Sequence, residues 1–578
     1  MATTTGLPAI NIVGIDAPFR WLAGGWRDFM KAPGPCLAYG LAMALVSLWL
    51  AAFANWPLWR ALAALPELAS ARGALFMFSF GLMMAGVHLA LLALGAWPRL
   101  IKPLSLVLLT AAAAGAHFMG SYHVVIDPSM MLNVLHTDVH EAGDLIGAPL
   151  LGSLLLLAGL PAWWLWRTPL RPLPLRAQAL RNAVAVLLAL WLAGGLGVLN
   201  FAPLSSTMRN HKALRYMVNP ANSVYALARL GLQRGVRPAA AAAAIGADAS
   251  APAPRSEAGA PLLMLVIGET ARADHFSLNG YARPTNAETA ALGVISFTDV
   301  SACGTSTAAS LPCMFSHLGR ARFGARDHDY QNLLDVAQQA GLAVLWLDNQ
   351  AGCKGVCERV PHAVAAQAPA GSAHASGVCD GQECLDEALL TGLDQRLAAL
   401  PAERRQRGVL LVLHQMGSHG PAYYKRSPAA RKPFQPECRS HALQECAPEA
   451  LVNAYDNSIA YTDHVLAGAI DWLQRQRAHY DPMLLYVSDH GESLGEDGLY
   501  LHGLPYAMAP RAQTQVPLLL WLPPQSEAAI GAARECLLQH RDQPLSHDHL
   551  FHSVGGLLGL RSQVFDAGLD LAAPCRGA

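Results

Sequence analysis

The sequence predicts an α-helical membrane domain of five transmembrane helices, followed by an α/β domain built on a mainly parallel sheet. Three observations support this. Five long apolar stretches follow one another in the first 205 residues, each without a formal charge. After residue 260, short and wholly apolar runs ending in polar turns alternate with helical texture. Ten of the eleven cysteines lie beyond residue 300, as they would in a domain outside the membrane.

A chain of 578 residues exceeds what one hydrophobic core serves, so at least two domains are expected. Lys and Arg balance Asp and Glu at 41 each, which argues against nucleic acid as the main partner. Hydrophobic residues make up 53% and charged residues 14%, with the apolar excess concentrated before residue 205. The stretches are roughly 37–56, 73–97, 103–122, 146–166 and 182–203, long enough for the ~20 residues a spanning helix needs. His88 and His117 are the only residues in them that ordinarily titrate near neutral pH.

Basic residues fix the orientation. Arg20, Arg27 and Lys31 precede the first span, Arg99 and Lys102 follow the second, and Arg167, Arg171, Arg176 and Arg181 follow the fourth. The connection between the third and fourth spans carries Asp127, Asp138, Glu141 and Asp144 with no Lys or Arg. The N-terminus is therefore expected in the cytoplasm and everything after residue 205 outside. The domains expected are 1–205 in the membrane, 206–260 as connection, and 261–578 outside. Within the connection, 208–234 holds Arg209, Lys212, Arg215, Arg229 and Arg234 among apolar residues at roughly helical spacing. It reads as an amphipathic segment on the membrane surface or as a solvated helix. The Ala/Pro-rich tract after it has no apolar face and reads as a linker.

The late cysteines fall into near pairs, 303/313, 353/357, 379/384 and 438/446, with 536/575 further apart. No CxxC occurs, so disulfides are expected rather than a zinc knuckle. The pair 303/313 encloses Thr305, Ser306, Thr307 and Ser310, a loop of hydroxyls held in place.

"PLLMLVIGE", "LAVLWLDN", "GVLLVLHQMG" and "PMLLYVSDHGE" read as strands buried on both faces. Ligands gather at the carboxyl ends of such strands. Those ends carry Glu269, Asp348, His414 and Asp489–His490. Glu269, Asp489 and His490 are donors suited to zinc, and a metal beside a hydroxyl can lower its pKa enough to make a nucleophile.

The blocks "VIGETARADHFSLNGYARPTN", "CGTSTAASLPCMFS", "DNQAGCKGVC", "HQMGSHGPAYY", "YDNSIAYTD" and "VSDHGESLGEDGLYLHG" resemble those of lipid A phosphoethanolamine transferases. That family includes the polymyxin-resistance enzymes and belongs to the alkaline phosphatase and sulfatase superfamily. The resemblance implies an alkaline phosphatase/sulfatase-type periplasmic domain joined to a five-helix domain in the bacterial inner membrane. It implies Thr307 as nucleophile, with Zn2+ held by Glu269, Thr307, Asp489 and His490. It further implies Thr305 and Lys354 as phosphate or ethanolamine contacts, and His419 and His502 as histidines at the substrate or at a second zinc, with Glu492 a weaker second-site candidate. The sequence departs from the family at Ala351, where many relatives carry a hydroxyl. "NVLHTDVHEAGDL" resembles the family's outer-face segment, in which Asn133, Thr137 and Glu141 would share a helix face toward lipid headgroups. A helix cap and solvated acids would account for the same three residues without a function.

The activity implied is transfer of phosphoethanolamine from phosphatidylethanolamine to a phosphate of lipid A through a phosphoethanolamine-threonine intermediate, by a monomer in contact with membrane lipids. Another acceptor, such as a core sugar, a glycan or a protein, is the alternative within the superfamily. A non-catalytic membrane sensor with a hydrolase-like domain is the alternative outside it.

Overall fold

A computed structural model describes residues 20, 23, 33–137, 142–143, 145–168, 174–236, 242–251, 259–381 and 383–576. The chain forms two compact units. The first comprises residues 1–116, 152–214 and 218–221; the second comprises 117–151, 215–217 and 222–578.

Among the described residues four helices are long and apolar enough to cross a membrane: Ala71–Leu94, Ile101–Ser121, Ala148–Arg167 and Leu175–Leu199. Gly40–Ala52 and Trp56–Ala63, bent by 49°, make a fifth when taken as one span. A break in a span frees backbone groups that lipid cannot satisfy, and buried Asn55 meets that need. Its amide donates to the carbonyls of Leu50 (2.8 Å) and Asn219 (2.6 Å), and its oxygen accepts from Asn219 N–H (2.8 Å). The last span begins earlier than its uncharged stretch, because Arg176 and Arg181 lie on the first turns of its helix. Small residues let it approach its neighbour closely: a Cβ on Gly86 would come within 3.1 Å of Ala189 O.

The second unit is built on a seven-stranded sheet. Its strands are β1 (Ala260–Gly268), β2 (Ile295–Phe297), β3 (Ala343–Asp348), β4 (His362–Val364), β5 (Val409–His414), β6 (Tyr480–Ser488) and β7 (Leu518–Trp521). Their order is β2-β7-β6-β1-β5-β3-β4. The run from β6 to β4 is parallel, while β7 pairs antiparallel with both β6 and β2. The sheet is thus mainly parallel with an antiparallel margin.

The apolar runs are explained by burial on both faces. Along β1, Leu263, Leu265 and Ile267 join one core while Leu262, Met264 and Val266 join the other, as a period of two requires. The long Pro448–Arg475 helix covers the second face through Tyr455, Ile459, Leu466 and Ile470. The Thr307–Met314 helix packs Leu311 and Met314 into the first.

Two stretches differ from expectation. Residues 242–251, read as linker, lie against the first core through Ile245, Ala249 and Ala251 and bond backbone to backbone at Ala243–Gln331 and Ser250–Arg561. Short apolar side chains suffice where the backbone supplies the hydrogen bonds. The connection after the third span is likewise packed into the second unit. Tyr122, Val124, Ile126, Met130 and Met131 form a small core with Ala226, against which Tyr500 and Leu501 pack.

Candidate metal and nucleophile site

Strand register assembles the site. Ile267 pairs with His414 and with Val487, and Gly268 with Ser488, so the residues that follow emerge together at the carboxyl edge. Glu269 and Asp489–His490 meet there, fully buried, with carboxylate oxygens and an imidazole nitrogen all within 4.8 Å of one another. Thr307 opens its helix and points its hydroxyl at this group. Its Oγ1 lies 2.9 Å from Glu269 Oε2 and 3.5 Å from His490 Nε2. A helix start with Ser306 as cap also directs free N–H groups toward any anion bound there.

The donor set is oriented by its neighbours. Thr270 Oγ1 donates to Glu269 Oε1 (2.5 Å), and Gln350 Nε2 donates to Oε2 (3.1 Å). The N–H groups of His490 (2.7 Å) and Thr270 (3.2 Å) donate to Asp489 Oδ1. Thr270 adopts a left-handed conformation (φ 59°), uncommon for a β-branched residue and tolerated where several bonds over-determine it. His490 Nδ1 lies 2.9 Å from Gly491 O, which places the proton on Nδ1 and leaves Nε2 facing the carboxylates, 3.2 Å from Glu269 and 3.4 Å from Asp489.

Protonation follows from this crowding. Burial and then the charge of Glu269 push Asp489 up to about 6. Burial opposes the charge on His490, but the Asp489 charge and the Glu269 hydrogen bond outweigh it and raise the imidazole to about 10. Burial likewise opposes ionisation of Glu269, but the hydrogen bond and charge of His490 hold it well below the ordinary range. Asp489 Oδ2 is buried with no hydrogen-bond partner. Two carboxylates, one with an oxygen that no hydrogen bond satisfies, and an imidazole Nε2 turned toward them fit a divalent metal ion, which would take the place of the proton on Nε2.

His502 and His419 flank the set. The ring of His502 is 4.3 Å from that of His490 and 5.8 Å from that of His419. Glu492 is buried, accepts from Tyr423 Oη (2.9 Å), and lies 3.3 Å from His502 Nδ1. Thr305 spends its hydroxyl proton on Leu504 O (2.6 Å). Lys354 Nζ donates to Ala351 O (2.9 Å) and His136 O (3.3 Å), and lines a cavity of about 610 Å³ together with Leu132, Ala308 and Pro312. Where Ala351 lacks a hydroxyl, the adjacent Gln350 supplies a donor to the site.

The expected common face of Asn133, Thr137 and Glu141 is corrected. The helix Pro128–His136 stops at Thr137, whose backbone turns extended (ψ 131°) and whose hydroxyl bonds back to Asn133 O (3.0 Å). Asn133 and Thr137 do not join the Glu269 cluster, and Glu141 lies outside the described residues.

All five expected cysteine pairs are disulfides. Sequence reasoning misses Thr270, Gln350 and His547. Thr270 and Gln350 adjoin strand ends and are legible as neighbours of charged termini; His547, one of three histidines in "SHDHLFH" at the start of a helical segment, carries no signal that sets it apart.

Comparison with known proteins gives the chain's relationships. Residues 261–560 match the Sulfatase family model, and residues 84–234 match that of Phosphoethanolamine transferase EptA/EptB. The chain is 38% identical to phosphoethanolamine transferase EptA of Escherichia coli strain K12 over 535 residues, covering 89% of this chain and 93% of that protein. It is 37% identical to the Escherichia coli phosphatidylethanolamine transferase Mcr-1 over 460 residues, 78% of this chain and 84% of the relative. The solved integral membrane lipooligosaccharide phosphoethanolamine transferase A of Neisseria meningitidis superposes with a TM-score of 0.84 at 31% identity, covering 93% of this chain and 98% of that one. With membrane helices, sulfatase-type sheet and buried donor set all in place, the chain belongs to the EptA/EptB family of phosphoethanolamine transferases.

Proposed function

We propose that this enzyme moves phosphoethanolamine from phosphatidylethanolamine to a phosphate of lipid A, with Thr307 as the covalent carrier. The observation that supports it most is the Thr307 hydroxyl, 2.9 Å from Glu269 at the start of a helix and beside a buried Glu–Asp–His donor set. In this reading the apolar spans within residues 1–205 hold the chain in the bacterial inner membrane, and 261–578, with 242–251 packed on its core, work in the periplasm.

Glu269, Thr307, Asp489 and His490 would hold Zn2+. When bound, the ion would lower the pKa of the threonine hydroxyl and offset charge on the phosphoryl oxygens. Thr307 Oγ1 attacks phosphorus; the bond to the diacylglycerol oxygen breaks, and that oxygen leaves with a proton as diacylglycerol. A lipid A phosphate oxygen then attacks the phosphoethanolamine-threonine, and Thr307 regains its proton as it departs. His502, whose ring lies beside those of His490 and His419, and His419 itself would pass a proton to the leaving group and take one from the acceptor. Lys354 and the oxygen of Thr305 would contact the donor headgroup. The amine added to lipid A lowers negative surface charge, so cationic peptides such as polymyxin bind less well.

Incubating the purified protein with phosphatidylethanolamine alone should leave phosphoethanolamine on the peptide containing Thr307. Adding lipid A should discharge it and raise the mass of lipid A by one phosphoethanolamine. An adduct that lipid A does not discharge would assign another acceptor; no adduct, with transfer intact, would overturn the covalent route.

A further inference from the structure

Beneath the site lies a histidine that the mechanism above does not use. His547 is 2% exposed and sits between the nucleophile loop and the end of β6. Its Nδ1 accepts the N–H of Cys303 at 3.0 Å and lies 3.3 Å from Ser310 Oγ. Its Nε2 lies 2.9 Å from the carbonyl of Ser488. A carbonyl only accepts and an amide N–H only donates, so the proton is on Nε2 and the ring is neutral. Burial acts in the same direction, pushing the imidazole down to about 4.

Ser310 completes the connection. One turn after Thr307, its hydroxyl donates to Asp489 O at 2.5 Å and receives Gly304 N–H at 3.3 Å. The Cys303–Cys313 disulfide joins the loop to its own helix, not to the strand that bears Asp489 and His490. His547 and Ser310 make the joint between the two halves of the site.

We propose that His547 is a positioning residue for phosphoethanolamine transfer: its ring spaces the Cys303 amide from the Ser488 carbonyl, and thereby Thr307 from Asp489 and His490. This rests on the function proposed above. The reaction needs the nucleophile in line with phosphorus, and a misplacement of about 1 Å costs on the order of a hundredfold in rate.

The test uses full-length, zinc-loaded enzyme in detergent with phosphatidylethanolamine and lipid A. His547→Ala is expected to lower kcat by about a hundredfold, with donor KM within about twofold of wild type and zinc content unchanged. His547→Asn, whose oxygen can still accept the Cys303 N–H, is expected to recover about tenfold of that loss. His547→Leu, which fills the space but cannot accept the N–H, is expected to recover none of it; recovery equal to that of Asn would show packing alone and overturn the inference. The inference is overturned if kcat for His547→Ala stays within about threefold of wild type, or if the variants lose rate only in step with zinc or melting temperature. Should His547→Ala not fold, His547→Asn decides: a lowered kcat at unchanged KM and zinc supports the role, and an unchanged kcat refutes it. Wild type that turns over neither lipid refutes the proposed function instead, and the inference with it.

Discussion

Thr305 Oγ1 donates to the carbonyl of Leu504 at 2.6 Å, tying the nucleophile loop to the segment that presents His502. Thr305→Ala removes this buried bond and should destabilise by ~1–3 kcal/mol. Transfer should fall by about ten- to a hundredfold through loss of His502 placement, while Thr305→Ser stays near wild type. Steady-state rates of the two variants check this; equal losses would show that the methyl, not the bond, is what matters.

Thr307→Ala should abolish transfer while leaving the fold intact, since only a hydroxyl and a methyl are removed, although one of the four expected metal ligands goes with them. Intact-mass analysis after exposure to phosphatidylethanolamine should show no adduct, with circular dichroism unchanged. Residual transfer with an adduct on Ser306 or Ser310 would move the nucleophile.

Gly417 follows β5 with φ 52°, and a Cβ there would come within 2.6 Å of Glu269 O and 2.9 Å of Glu269 N. Backbone on one side cannot yield as a side chain can. Gly417→Ala should therefore displace Glu269 and destabilise by about 2–4 kcal/mol. Zinc content measured by mass spectrometry should drop in the purified variant; full zinc with wild-type stability would contradict this.

Asp348 and His414 are paired at 3.1 Å across the parallel register of β3 and β5. Burial favours the neutral form of each, but each is outweighed by the other's charge and hydrogen bond. Asp348 is held below its ordinary 3.8 and His414 above its ordinary 6.5. The depressed carboxyl contributes stability above pH 3.8, lost as pH falls through its folded value; the raised imidazole contributes below pH 6.5, lost as pH rises through its folded value. The pair thus acts in full between those limits. Asp348→Asn should lower the apparent melting temperature most near about pH 5, and the gap to wild type should narrow as pH rises through the His414 titration. A gap that widens with pH would reverse the sign.

Much of the molecule is legible in the sequence where one physical demand dominates. β1, β3, β5 and β6 announce themselves because strands buried on both faces must be apolar throughout, and Glu269 and Asp489 are then conspicuous as charges ending such runs. What stays hidden depends on partners distant in sequence. Asn55 breaks a span that composition alone draws as straight, because its hydrogen bonds come from Asn219. Ile245 docks a tract whose alanines have no pattern to read. His547 acquires its place only when Cys303 and Ser488 converge on it.

The small core around Tyr122 bears on the order in which the chain is made. The Tyr122 hydroxyl donates to His441 O, a partner 319 residues further along, and its carbonyl receives the N–H of Tyr500. Synthesis runs from the N-terminus, so this early segment is complete long before the surfaces that cover it exist. Met130 and Met131 must wait, unburied, until nearly the whole second unit has been made. Closure around the Tyr500–His502 segment is thus a late, long-range event, and an enzyme truncated during synthesis carries an uncovered apolar segment in place of a working site.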